Sequence, residues 1–409
     1  MSQEKTTQPR VGVCFPELVS TFLRGKLDLL RRTKGEDSSE YMALARQYFR
    51  DPREDEVDWK AERRRHYEAE LVRGEDGSTL VGIERLYRRV ALIDLTTLCL
   101  AHCRYCLRQQ YGSFTLSSED VERAAAYFGG PSHRDDLREV LITGGDPLLL
   151  PELLDFAIDS IVRLAPNIEV VRIGSRLPLQ QPDRVDDAAL RAVRRRKGLR
   201  IELGTQVNHP LELWPESRSA YGRLQDQGLA IYNQQVLLRD VNDSLDVLCE
   251  LYDALRHLGI EAHYMFHCIP LRGAGHHRTT IEEGLDLIKE LTSSGGISGR
   301  CKPMYTAMTD IGKVTLYEGS ILDRKGDMVM LQTGYTLKDR LRWNPSWKLP
   351  ESAAVDDVGR LIVWYKDAQV HNEGWPSTYW LDEGPSVDGK VLARRPQDEG
   401  TPTPALQGI

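Results

Sequence analysis

The sequence predicts an α/β fold: a partial (βα)6 barrel of the TIM type, with a helical extension before it and an aromatic-rich extension after it. Three observations carry this. From Val90 onward short apolar runs alternate with amphipathic helical stretches, a rhythm that implies right-handed crossovers and a parallel sheet. It repeats about six times, enough for a partial barrel. Loops carrying glycine, cysteine and polar residues follow the strands, at the end of such barrels where active residues collect. A chain of 409 residues holds two or three structural units, or one large barrel with extensions. The division expected is 1–82 for the helical extension, 83–319 for the barrel and 320–409 for a closing or oligomerisation segment.

Up to about Gly82 the chain is charged and helical in pattern. PheProGluLeuValSerThrPheLeuArgGlyLysLeuAspLeuLeuArgArg and TyrMetAlaLeuAlaArgGlnTyrPhe place apolar residues three and four apart. Arg63, Arg64 and Arg65 stand among Glu62, Glu68 and Glu70, which reads as a solvated helix face. GlyGluAspGlySer at 74–78 is a turn. ValAlaLeuIleAspLeuThr from Val90 is the first strand. The stretch from Ser117 is a helix, with Ser117 and Asp120 in capping-box spacing. Strands follow at 140–143, 170–174, 201–204, 231–238 and 262–267, with helices at 153–164 and near 187–196, 218–227, 244–258 and 280–292. After about Gly319 the rhythm stops. Five of the seven tryptophans (Trp343, Trp347, Trp364, Trp375 and Trp380) lie beyond it, a composition suited to closing the barrel or to a subunit interface. From Arg394 the composition reads as disordered.

Composition narrows the classes. With 41% hydrophobic and 28% charged residues the chain can bury a sizeable core. No apolar run reaches about eighteen residues, so no membrane span is expected, and the N-terminus lacks a signal-peptide core. A net charge of −7 argues against a nucleic-acid surface. Seven cysteines, an odd number without a secretion signal, suit a reducing cytoplasm rather than disulfide stapling. Cys14, Cys249, Cys268 and Cys301 read as plain structural thiols.

The other three thiols are different. Cys99, Cys103 and Cys106 are separated by three and then two residues, in a loop directly after the first strand. Soft thiolates turned to one point suit zinc or an iron–sulfur cluster. Three protein ligands leave a position open, where chemistry happens. A zinc knuckle completed by His102 or a distant residue, or three unrelated core thiols, fits the same spacing.

Further phrases accompany the triplet: IleThrGlyGlyAspProLeuLeuLeu, ValArgIleGlySerArgLeuPro, AsnGlnGlnValLeuLeuArgAspValAsnAsp and GlyAlaGlyHisHisArgThr. In this order, over roughly residues 80–320, the series resembles the lysine 2,3-aminomutase family of radical S-adenosylmethionine (SAM) enzymes. The resemblance implies a barrel of the radical SAM kind. It implies that Cys99, Cys103 and Cys106 hold a 4Fe–4S cluster whose fourth iron chelates SAM. It implies that Gly144, Gly145 and Asp146 approach the SAM amino group, and that Ser175, Arg176 and Gln234 line the same pocket. Arg108 falls where the family grips the substrate carboxylate, a task that suits a guanidinium fork.

The family also holds pyridoxal phosphate (PLP) as a Schiff base on a lysine in a glycine-rich loop. ThrAspIleGlyLysValThrLeu makes Lys313 the counterpart, and Arg85 and Arg89 resemble the phosphate-binding pair. Only Gly312 remains of the glycine run, and one residue is inserted between Arg89 and Cys99. The acidic residues that receive the distant ammonium in the lysine enzyme become Ile269 and roughly Thr306. An unpartnered buried cation is costly, so lysine itself is disfavoured. The C-terminal cysteines that bind zinc in some relatives are missing, so no structural zinc is expected.

The function implied is an isomerase that moves the amino group of an α-amino acid from the α to the β carbon, by way of a 5′-deoxyadenosyl radical and a PLP aldimine. Its partners would be a small-molecule amino acid and an external electron donor of the flavodoxin or ferredoxin type, with no nucleic acid and no membrane, in a homo-oligomer. Three alternatives fit the same residues. One is a PLP-independent radical SAM enzyme that epimerises, dehydrogenates or decarboxylates an amino-acid-like metabolite. Another is a relative that modifies a lysine on a translation factor, and the third is a non-catalytic zinc-binding module.

Overall fold

The computed structural model describes residues 16–55, 72–107, 113–271 and 273–368. The arginines at 63–65, Trp375, Trp380, Cys14 and the segment from Arg394 lie outside the described residues.

Two helices open the fold, α1 (Thr21–Lys34) and α2 (Ser39–Ala45). Each has a serine cap: Ser20 accepts from Leu23 N and Ser38 from Tyr41 N, satisfying amides that a helix start leaves bare. Leu23, Leu27 and Leu30 of α1 meet Tyr41 and Leu44 of α2 in a separate core, which also includes Ala101 and is packed by Cys103. The helical hairpin therefore lies against the cysteine loop. Burying each such leucine stabilises by roughly 1.5–3 kcal/mol, so the packing on this loop is firm.

The barrel sheet has nine strands in sequential order: β1 (Ile83–Glu84), β2 (Val90–Thr96), β3 (Glu139–Gly144), β4 (Val170–Gly174), β5 (Arg200–Thr205), β6 (Ala230–Leu237), β7 (Ile260–His267), β8 (Met304–Thr309) and β9 (Gly312–Thr315). The strands from β2 to β8 pair in parallel, and β1 and β9 are antiparallel edges. The crossovers are α3 (Ser118–Gly129), α4 (Pro151–Leu164), α5 (Leu177–Gln180) with α6 (Asp187–Ala192), α7 (Pro215–Asp226), α8 (Leu245–His257) and α9 (Ile281–Ser293). This is the half-barrel that the alternation predicts, one parallel strand longer than the six expected. Ser117 and Asp120 form the capping box foreseen for α3, with Asp120 N on Ser117 Oγ at 3.2 Å and Ser117 N on Asp120 Oδ2 at 2.9 Å.

One apolar core runs the length of the sheet, from Ile93 and Ile142 through Ile173, Leu203 and Ile231 to Met265 and Ala307. The backbone of β9 is tied to Tyr87, on the connection between β1 and β2, and to Tyr335 of the segment after Gly319. Lys313 N donates to Tyr87 Oη at 2.9 Å and Tyr335 Oη donates to Lys313 O at 2.7 Å.

The segment after Gly319 is a second sheet, ordered β10 (Ile321–Lys325), β11 (Met328–Thr336), β13 (Arg360–Lys366) and β12 (Ala353–Val355), all antiparallel, with α10 (Leu337–Trp343) after β11. It docks through Arg278, whose Nη2 donates to Lys366 O at 2.7 Å, and Asp367, which accepts from Ile281 N at 3.0 Å. Tyr365 Oη meets His267 Nδ1 at 3.1 Å.

His267 makes acid resistance testable. Burial, helped by the Arg278 charge, lowers its pKa to about 3, against an unfolded value near 6.5. A base with a depressed folded pKa contributes stability that is complete above the unfolded pKa and lost as pH falls towards the folded one. By pH 5 the loss from this one ring reaches about 2 kcal/mol. Unfolding free energies from urea melts of the native protein at pH 7.5 and pH 5.0 should differ by that much more than those of His267→Gln.

Candidate active site

The loops at the C-terminal ends of the strands enclose one cavity of about 550 Å³. Cys99, Cys103, Cys106, Gly144, Gly145, Asp146, Ser175, Arg176, Gln234 and Lys313 all line it, although they are spread over more than two hundred residues of sequence. The β–α alternation is what brings them to one end.

The cysteine loop is held from both sides. On the outside, His102 N donates to Leu18 O at 2.8 Å and Arg104 N to Gln47 O at 2.9 Å. Arg104 Nε reaches Glu54 Oε1 at 2.9 Å, in an ion pair almost closed to solvent. On the inside, Asp146 N donates to Leu98 O at 2.7 Å, and Gly145 N bonds to Thr96 O. The two glycines serve this contact. A Cβ on Gly144, whose φ is +133°, would stand 2.0 Å from Thr96 O, and one on Gly145 would stand 2.0 Å from Leu98 O. Their bareness lets β3 close on the start of the cysteine loop.

Asp146 is buried, and its carboxylate joins two loops. It accepts from Ser175 Oγ at 2.8 and 2.9 Å, from Arg176 N at 2.9 Å and from Leu148 N at 3.1 Å. Burial raises its pKa to about 6, against the pull of those hydrogen bonds. Arg176 sits in a buried network that sequence reasoning missed. Its Nη2 meets Glu212 Oε1 at 2.5 Å, and its Nη1 meets Cys103 Sγ and Tyr105 Oη, each at 2.7 Å. Asn208 Nδ2 donates to Tyr105 Oη at 2.6 Å and to Gln47 Oε1 at 3.0 Å.

Lys313 enters from β9. Its Nζ lies 4.7 Å from the Tyr264 ring centre and 5.7 Å from that of Phe266, a placement favourable to a cation. Gly312 has φ +113°, and a Cβ there would meet Tyr87 Oη at 3.0 Å. One glycine beside two tyrosine hydroxyls fixes this loop without a glycine run.

Other expected residues are placed elsewhere. Arg85 and Arg89 do not line the cavity. Arg85 is buried, with its fork on the carbonyls of Val90 (3.1 Å) and Arg88 (2.8 Å), and burial lowers its pKa to about 10. Exposed Arg89 donates to Asp136 O at 3.2 Å. Backbone carbonyls hold both guanidinium groups, local ones for Arg85 and that of Asp136, 47 residues on, for Arg89. Arg108 lies outside the described residues. Thr306 is buried away from the cavity, and the β8 residue that lines it near Ile269 is Met308. Side chains alternate along a strand, so a displacement of two from Thr306 keeps the inward face.

Three thiols on one short loop suit a soft-metal cluster with one corner left for a small ligand. Among the described residues no three His, Cys, Asp or Glu side chains are gathered as a metal-binding set. For PLP the Lys313 amine fits, and the expected phosphate pair does not.

No protein-family model matches the chain. An Aquifex aeolicus protein provisionally named L-lysine 2,3-aminomutase is 33% identical over 284 residues, 68% of this chain and 73% of its own length. The chain belongs to the lysine 2,3-aminomutase family. The family's L-lysine 2,3-aminomutase of Clostridium subterminale is 32% identical over 258 residues, 62% of this chain and 61% of that protein. Its glutamate 2,3-aminomutase of Clostridioides difficile is 28% identical over 268 residues, covering 64% and 61%. The chain thus spans about three fifths of the length of these two family members. Among solved structures, a radical SAM methyltransferase from Sphaerobacter thermophilus aligns over 56% of this chain and 69% of its own, with 16% identity and a TM-score of 0.41. Among the described residues no helix is long and apolar enough to cross a membrane.

Proposed function

We infer that this protein is a radical SAM aminomutase, moving the amino group of an α-amino acid from the α to the β carbon. One observation carries the reading: the three-thiol loop and the Lys313 amine open onto the same cavity. A 4Fe–4S cluster on Cys99, Cys103 and Cys106 supplies, when bound, the electron that splits SAM into methionine and a deoxyadenosyl radical. PLP, if held by the Lys313 amine, would supply the π system through which nitrogen can pass between neighbouring carbons.

The chain's own residues provide placement. The Asp146–Ser175–Arg176 knot fixes the two loops that face the cysteines. Tyr87 and Tyr335 hold the Lys313 backbone, so its amine emerges from a rigid edge. Tyr264 and Phe266 wall that amine with rings, and the enclosure keeps water from reactive species. The net change is an isomerisation: hydrogen and nitrogen exchange adjacent carbons, and no electron is consumed overall.

Anaerobic reconstitution with iron, sulfide, PLP and SAM tests this. The wild type should take up iron and sulfide in cluster proportion, convert an α-amino acid to its β-amino isomer, and show a near-visible PLP absorption that is lost in Lys313→Ala. The triple Cys99, Cys103 and Cys106 to Ala variant should bind no iron and release no 5′-deoxyadenosine. Zinc uptake without iron or sulfide would select a binding module instead.

The placement of Arg85 and Arg89 off the cavity wall favours a second reading, a radical SAM enzyme acting without PLP. It predicts undiminished 5′-deoxyadenosine formation in Lys313→Ala.

A further inference from the structure

Part of the cavity wall is apolar and forms its own cluster. Ile269, Leu271, Ala274 and Met308 pack together, with Leu107 and Phe266 against them. Of these, Leu107, Phe266, Ile269 and Met308 line the cavity. Ile269 and Met308 are 8% and 9% exposed.

Two members locate the patch. Leu107 directly follows Cys106, and the Phe266 ring lies 5.7 Å from Lys313 Nζ. The patch therefore reaches from the cysteine loop to the lysine, where a molecule acted on by both must sit. A charged side chain laid against it would give up its water for apolar neighbours, whereas an apolar one gains by leaving water.

The carboxylates among the described lining residues are Asp146 and Glu84. Asp146 is committed to Ser175, Arg176 N and Leu148 N. Glu84, buried on β1, is the other, and the Glu84→Gln variant below tests whether it receives a cation.

We propose that this patch receives the substrate side chain, and that the substrates are α-amino acids with a branched aliphatic or aromatic side chain. Ile269 and Met308 are then specificity determinants. The proposal rests on the aminomutase reading above.

The test uses the full chain, reconstituted with cluster and PLP and supplied with SAM and reductant. Leucine, phenylalanine, lysine and glutamate are offered separately, and both 5′-deoxyadenosine and the β-amino acid are measured. Leucine or phenylalanine should give a kcat/KM at least tenfold above lysine and glutamate. Met308→Asp should lower the value for leucine tenfold or more and raise that for lysine, while Met308→Leu keeps leucine within threefold. Thermal melts of both variants establish that they fold. If Met308→Asp does not fold, Ile269→Asp serves in its place.

Lysine or glutamate preferred tenfold over leucine by the wild type would overturn the substrate class and leave the aminomutase standing. Lysine turnover lost in Glu84→Gln would then place a cation receptor on β1. Deoxyadenosine without β-amino product from any amino acid would remove the aminomutase reading, and this proposal with it.

Discussion

Replacing Arg176 with methionine should destabilise the protein by about 3–5 kcal/mol, the usual result of removing one partner from a buried ion pair. Glu212 is 3% exposed and would lose the guanidinium opposite it. Its remaining donors are Asn208 N at 2.6 Å, His209 N at 3.0 Å and Tyr48 Oη at 3.3 Å. They solvate the carboxylate in part and set the lower end of the range. The pair differs from the exposed bridges on the barrel's outer surface, such as Arg194–Asp159, where a deletion costs about 0–1 kcal/mol. Adding Glu212→Gln should return part of the loss, because the orphaned charge is gone, and a double-mutant cycle in urea measures the coupling. Arg176→Lys should not restore the native value. A lysine ammonium is one point of charge and cannot span Glu212, Tyr105 and Cys103 as the fork does. A loss below 1 kcal/mol in Arg176→Met would show that the network is not what holds these loops.

The barrel was legible because each parallel strand leaves a local trace: a short β-branched run, a turn and an amphipathic helix. Ser117 and Asp120 mark a helix start within four residues, and the cysteines sit within eight. What stayed hidden depends on distance or on weak local signals. β10 reads IleLeuAspArgLys, too charged to stand out, and becomes a strand by pairing with β11. β8 and β9 are joined across Asp310 and Ile311 by a hairpin that the β–α rhythm gives no reason to expect. Arg176 meets Glu212 across 36 residues, and Gln47 meets Asn208 across 161. Each is an ordinary polar residue until the fold makes them neighbours. The same holds for Arg85: its spacing from Arg89 resembles a phosphate pair, but the nearby carbonyls of Arg88 and Val90 claim it. Local pattern thus predicts which loops reach the site better than it predicts where each side chain turns.

Gly145→Ala should separate fold from site. The added methyl would meet Leu98 O at 2.0 Å, Leu98 C at 2.5 Å and Leu98 N at 2.6 Å. All three are backbone atoms, so no rotamer change relieves the clash and the chain from Thr97 to Cys99 must move. Overpacking of this kind costs about 1–3 kcal/mol. The larger consequence is local, since the shift falls on the first thiol of the triplet. Iron retained after anaerobic reconstitution should drop by at least half in Gly145→Ala, with the far-ultraviolet circular dichroism unchanged. Gly144→Ala should be more severe, because its φ of +133° adds backbone strain of about 1–3 kcal/mol to a contact of 2.0 Å with Thr96 O. Gly25→Ala provides the control. It lies within α1, and a Cβ there meets nothing within 4 Å, so helix propensity alone acts and stability should rise by about 0.5–1 kcal/mol. Iron binding equal to wild type in Gly145→Ala would mean that the cysteine loop takes its shape from the segment that follows α2, through Arg104–Glu54 and Gln47, and not from β3. The two supports can be ranked in one experiment, because Glu54→Gln weakens the outer one and leaves the glycines in place.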